Sequence, residues 1–188
     1  MALSRQAIVE AGLGILDAYG LGDLSMRRVA DVLNVQAGAL YYHVPNKQSL
    51  LAALSDEILA EVPGPDVTQP TAVWLAGWAG ALRAALLSHR DGAELVATSL
   101  AMGLGVRQPH ADVERWLLAA GEPEPEATAA TVIHFVLGHV VEEQTKAQMS
   151  ALGVIGSYDR ARMERRFLLG VGIVVAGAAT LVRPGESG

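Results

Sequence analysis

The chain contains no cysteine, so disulfides and thiolate metal sites are excluded, and a reducing cytoplasm is the compartment this composition fits. Aromatic residues are scarce: three Trp, four Tyr and two Phe in 188 residues. Charge is sparse as well, at 18% of residues against 51% hydrophobic, which excludes a mainly disordered chain. Residues 1–24 mix charged and apolar side chains without a continuous apolar core, so no signal peptide is expected. The uncharged stretch 167–182 holds 16 residues, short of the about 20 that a membrane helix needs. It reads better as a buried helix. Basic residues are also few. The formal net charge is −6, and between Met1 and Ala60 four bases (Arg5, Arg27, Arg28, Lys47) face six acids. A nucleic-acid binder with this balance must gather its bases on one face, because phosphate contacts are local.

What the chain does have is helical periodicity. Ile8, Ala11, Ile15, Leu16 and Tyr19 recur at helical spacing behind Ser4, a candidate N-cap. Ser25 caps a second helix whose inner face is Met26, Val29, Ala30 and Leu33. Asn34 follows, and Asn tolerates the left-handed backbone that a tight helix-to-helix turn needs. A short helix through Tyr42 stops at Pro45, and Asn46 caps a fourth with Leu50, Leu51, Leu54 and Ile58 on one side. The Pro- and Gly-containing run 62–70 cannot continue a helix and marks the clearest boundary. Further helices are expected over about 71–88, from Asp91, up to Gly121, from Pro125 to about Met149, and over about 158–182. No strand-like alternation or internal repeat appears. The chain is therefore expected to be all-α, with residues 1–46 as a three-helix domain, 47–61 as a connecting helix, and 62–188 as a second helical domain.

Residues 25–44 have the internal logic of a helix-turn-helix. Ala30 is small where two helices must approach, Val35 and Leu40 anchor the second helix, and short side chains sit at the end that meets base edges. Spacing alone would leave an ordinary helical hairpin open. The run 35–51, Val-Gln-Ala-Gly-Ala-Leu-Tyr-Tyr-His-Val-Pro-Asn-Lys-Gln-Ser-Leu-Leu, resembles the recognition-helix signature of the tetracycline-repressor family of bacterial regulators. The likeness continues in Leu86 to Ala93, in His134 to Gly138 with Glu142, Glu143 and Gln144, and in Phe167 to Gly170 with Gly177. These stretches are similar to the sensor domain of the family's tetracycline-binding members.

That resemblance implies a regulator in which Ser25, Arg27, Tyr41, Tyr42, His43 and Lys47 hold phosphates, each carrying a suitable donor. Gln36, Ala37, Gly38 and Ala39 match base-facing positions, with Gln36 able to bond base edges and the alanines limited to methyl contacts. Met26 is apolar where the tetracycline-binding members have a hydroxyl. The resemblance also implies double-stranded operator DNA, a homodimer closed by a four-helix bundle, a small-molecule inducer, and no membrane or cofactor. Gly170 and Gly177, seven residues apart, fall on one helix face and suit a closely packed interface. The positions implied for the inducer are Trp74, Trp78, Leu82, Val96, Ser99, Met102, Val113, Trp116, His134 and Glu142. On pattern alone the Trp74–Trp78 pair is more often core than pocket. Tryptophan at a position that is an amide in the tetracycline-binding members points to an aromatic or apolar ligand.

Metal and catalysis have weak signals. The family's metal-binding histidine falls on Val96, and Glu142 alone makes no site. His139 and Glu143, spaced i, i+4, are read as a surface hydrogen bond. Ser88, His89 and Asp91 are triad side chains, but sequence neighbours on a helix diverge by about 100°. They read instead as a helix stop with an Asp cap, a candidate hinge. The expected function is a ligand-responsive repressor and not an enzyme; the competing reading keeps the fold as a ligand-binding protein that no longer binds DNA specifically.

Overall fold

The computed structural model describes residues 3–181, and among them every regular element is helical. They divide into two compact units, one of residues 1–61 with 85–107 and one of 62–84 with 108–188.

In the first unit, α1 (Arg5–Tyr19) starts where the Ser4 hydroxyl accepts from the Ala7 amide, and buries Ile8, Val9, Ile15 and Leu16. Gly20 ends it at φ +88°, a conformation that penalises any side chain, and a Cβ there would lie 2.7 Å from an Asp91 carboxylate oxygen. A 3-10 turn over Leu21–Asp23 leads to Ser25, whose hydroxyl accepts from the Arg28 amide and caps α2 (Met26–Val32). Asn34 takes φ +52°, the left-handed turn expected of it. Then come α3 (Ala37–Leu40), which stops earlier than its pattern suggests, and α4 (Lys47–Ala60), capped by Asn46. Leu50, Leu51, Leu54, Ile58 and Leu59 of α4 are all buried, because α4 packs against both α1 and α6 (Gly92–Met102). That packing is why α6, distant in sequence, belongs with α1 to α4.

The second unit takes most of α5 (Thr71–Leu87), together with α7 (Pro109–Ala119), α8 (Pro125–Ala151) and α9 (Arg160–Ala178). Proline opens α7 and α8, where its missing N–H costs nothing. α8 packs on α7 and α9. The two glycines expected at an interface part company here. A Cβ on Gly170 would stand 2.2 Å from the Phe135 ring, so this glycine permits the α8–α9 approach within one chain; one on Gly177 would meet nothing within 4 Å. No single helix among the described residues is long and apolar enough to cross a membrane. The end of the last expected helix, at Val182, lies outside the described residues.

Candidate nucleic-acid interface and ligand-binding residues

The helix-turn-helix is built on a buried footing. Leu24, Met26, Val29, Ala30, Leu40 and Val44 are all in the core, and above them stands a run of exposed polar side chains. Arg27, Gln36, Gly38, Tyr41, Tyr42, His43 and Lys47 are exposed, Tyr42 at 92%. A large aromatic has no reason to be held in water by packing alone. Ala37 and Ala39 are half-buried, and no atom lies within 4 Å of where a Gly38 Cβ would be. Ser25 uses its oxygen as a helix cap and keeps its hydroxyl hydrogen for another acceptor. Lys47 is the first residue of α4 and is exposed, beside the free amides of a helix N-terminus.

Two residues behave differently from the rest. Met26 is only 8% exposed, so its side chain serves the core of α2. Arg28, one of the four bases of this region, pairs with Asp23 and lies over the Tyr19 ring with Cζ 4.0 Å from the centroid. This contact occupies its charge, and leaves Arg27 and Lys47 as the exposed cations between Ser25 and Lys47.

The Ser88, His89 and Asp91 side chains each turn to a different partner within the first unit. Ser88 donates to the Ala85 carbonyl at 2.6 Å, and the His89 Nδ1 lies 3.0 Å from the Asp17 carboxylate. Asp91 stands at the N-cap position of α6 with φ +54° but does not cap it; its carboxylate accepts the Leu21 amide at 2.9 Å. The Asp17 carboxylate in turn accepts the Arg90 amide at 3.1 Å. The two turns thus cap each other.

Of the inducer positions, Val96 and Ser99 on α6 are buried and Met102 half-buried, all in the first unit. Among the described residues the buried Ser99 hydroxyl has no hydrogen-bond partner, an expensive arrangement. In the second unit Trp74, Trp78, Leu82 and Val113 are buried and Trp116 half-buried, with Trp78 and Trp116 meeting edge to face at 6.5 Å. A cleft of about 160 Å³ between the 63–69 loop and α5 is lined by Trp74, Trp78, Val73 and Gln69. The tryptophans are therefore both core and cleft wall. His134 is exposed against His110, whose pKa is lowered by burial and then by its neighbour. Glu142 is engaged by Lys146 and, at 3.0 Å, by Arg166; hydrogen bonds from these two cations hold its carboxyl down at about 2.

The pair read as a surface hydrogen bond is in fact buried. His139 Nε2 and Glu143 Oε2 are 3.8 Å apart, too far to bond, and Nε2 has no partner among the described residues. Glu143 instead accepts a fork from Arg83, at 3.0 Å from Nε and 2.7 Å from Nη2, and the Tyr158 hydroxyl donates to it at 2.6 Å. Burial and that donated bond push the Tyr158 phenol up to about 12. Burial lowers His139, partly offset by Glu143. Arg83 carried one visible signal, as the only charged residue between Asp66 and His89. Among the described residues no three His, Cys, Asp or Glu side chains gather as a metal site, and Val96 offers no ligand atom.

Residues 8–54 match the family described as bacterial regulatory proteins, tetR family, and residues 72–153 match the tetracyclin repressor-like C-terminal domain. The chain is 32% identical to the class A tetracycline repressor protein from transposon 1721 of Escherichia coli, across 94% of this chain and 91% of that one. Among solved structures, Mycobacterium smegmatis BioQ superposes with a TM-score of 0.84 at 40% identity, covering 95% of this chain and 98% of its own. A second BioQ structure, with its natural double-stranded DNA operator, superposes at 0.79 and 38% identity over 96% and 100%. With both halves matched, the chain belongs to the tetR family of bacterial regulatory proteins and is a DNA-binding regulator of that family.

Proposed function

We propose that this chain is a ligand-responsive repressor, working as a homodimer in the cytoplasm, that leaves a palindromic operator when a small, largely apolar or aromatic molecule binds its C-terminal domain. The observation that carries this reading is the run of exposed donors from Gln36 to Lys47 raised on a buried scaffold. Phosphates would be held by Ser25, Arg27, Tyr41, Tyr42, His43 and Lys47, and base edges met by Gln36, Ala37, Gly38 and Ala39. Two amide hydrogens and methyl groups read few base pairs, so backbone grip supplies most of the affinity. The structure of BioQ with its natural double-stranded DNA operator supports DNA as the partner.

A dimer follows from α9, where Leu168, Leu169 and Ile173 are 62%, 70% and 73% exposed, an apolar face that calls for cover. It would place two recognition helices in successive major grooves, about 34–36 Å apart. Inducer contacts are assigned to Trp74, Trp78, Leu82, Val96, Ser99, Met102, Val113, Trp116, His134 and Glu142. The Trp-lined cleft favours an aromatic body, and Val96 in place of a metal-binding histidine argues against a magnesium chelate. The bound form loses the operator because ligand and DNA favour different states.

A gel shift on duplexes selected from a random library tests this. Specific binding should weaken steeply with salt, and Lys47→Ala should lower the slope of log K against log[salt] by about 1. No specific shift at any salt would favour the ligand-binding protein without a working reading head. Planar aromatic molecules that raise Tm should also release the duplex; a hit that leaves operator affinity unchanged contradicts the inducer assignment.

A further inference from the structure

The segment after α6 is held in place in an unusual way. Gly103 ends α6 at φ +64°, and residues 104–107 follow with their apolar side chains in solvent, Leu104 at 54% and Val106 at 85%. Burial of these side chains therefore does not fix the segment. One carboxylate does: Asp56, on α4, accepts the Val106 amide at 3.0 Å and the Arg107 amide at 2.8 Å, one on each oxygen. The backbone comes so close that a Cβ on Gly105 would lie 3.0 Å from Asp56 Oδ1. Two amide bonds to an ionised acceptor are strong ones. All these groups belong to the first unit.

The clasp has a neighbour that touches function. A cavity of about 170 Å³ is lined by Leu104, Val106 and Asp56 together with His43, Pro45 and Ser49. The turn between α3 and α4, which carries His43 and leads into Lys47, thus shares a wall with the segment that Asp56 fastens. We propose that Asp56 is a positioning residue for operator binding: by clasping the 105–107 backbone to α4 it completes the wall beside which the 43–47 turn is set. This rests on the DNA-binding reading above, and adds a residue that does not itself face the operator. Without the clasp the turn loses the constraint on one side.

The experiment uses the full chain, with Asp56→Asn, Asp56→Ala and Gly105→Ala, and Glu57→Gln, exposed one residue along α4, as control. The isosteric Asn offers one acceptor oxygen where two are used, and Gly105→Ala keeps the carboxylate while pushing the segment off it. Hydrogen exchange across residues 103–108 reads the clasp, and binding of a library-selected duplex at several salt concentrations reads the turn. Asp56→Ala should speed exchange at least about tenfold, weaken operator binding about five- to thirtyfold and reduce the salt slope by about 1, as a lost phosphate contact requires. Asp56→Asn and Gly105→Ala should show smaller losses of the same kind, and Glu57→Gln none. Faster exchange with affinity and slope unchanged within twofold would overturn the proposal, and so would unchanged exchange. If Asp56→Ala fails to fold, the two milder variants decide by the same criteria. A wild type that selects no duplex overturns the DNA-binding reading and this proposal together, whereas a wild type that selects a duplex which the Asp56 variants bind equally well defeats only the role of Asp56.

Discussion

The reading head and the α8–α9 region handle polar groups in opposite ways. In the first, the described core is apolar apart from the hydroxyls of Ser55 and Ser99, and the functional polar groups stand outside it in water. In the second, an ion pair is taken inside: Arg83 and Glu143 are 13% and 2% exposed and closed over by Tyr158, Phe167 and His139. The contrast has a physical consequence. Exposed donors can be exchanged with little effect on folding, because each is worth little to stability in water. A buried fork cannot lose one arm without stranding the other charge. Substitutions in the head should therefore be read in DNA affinity, and substitutions in the fork in stability.

The largest expected effect breaks the fork. Glu143→Ala leaves the Arg83 guanidinium unpaired and should cost about 3–5 kcal/mol, whereas replacing both residues by leucine should cost much less. Urea denaturation of the single and double variants checks this, and equal costs would mean that the fork carries no coupling. Next comes Gly170→Ala, which drives a methyl into the Phe135 ring and should destabilise by about 1–3 kcal/mol. The same change at Gly177, where space is open in the single chain, should be nearly silent in monomer stability and so would separate intrachain packing from dimer packing; urea midpoints at two protein concentrations compare them.

The smallest effect is a titration. Tyr158 has its folded pKa raised to about 12 from an ordinary 10. A raised value means that its contribution is complete below pH 10 and is lost as pH rises from 10 toward 12. The loss should be on the order of 1 kcal/mol after allowance for partial exposure. Tyr158→Phe should flatten that alkaline limb of Tm against pH, and an unchanged limb would assign the alkaline loss to other groups.

Much of the head could be read before any coordinates. Ser25 and Asn46 are short oxygen-bearing residues ahead of apolar periodicity, and Asn34 stands where only a left-handed turn fits, so local chemistry determines them. What local chemistry could not reveal are contacts between distant residues. The Met26 burial and the Arg28–Asp23–Tyr19 cluster depend on how α1 meets α2. Asp91 has the spacing of a cap, yet it bonds Leu21, seventy residues away. Arg83 and Glu143 are sixty apart, and the clasp of Asp56 on Val106 spans fifty. The placement of α6 beside α4 has the same origin. The candidate inducer residues were legible as types, but their division between two compact units was not, because it arises from packing.

Whether the exposed donors between Ser25 and Lys47 make this chain a sequence-specific DNA binder is tested most directly by a fluorescence-anisotropy titration of a selected duplex and a scrambled duplex at several salt concentrations, with wild type and Lys47→Ala. The expected result is a preference of at least about a thousandfold for the selected duplex, with a steep salt slope that Lys47→Ala lowers by about 1. Equal affinity for both duplexes, or a slope unmoved by that substitution, would contradict it.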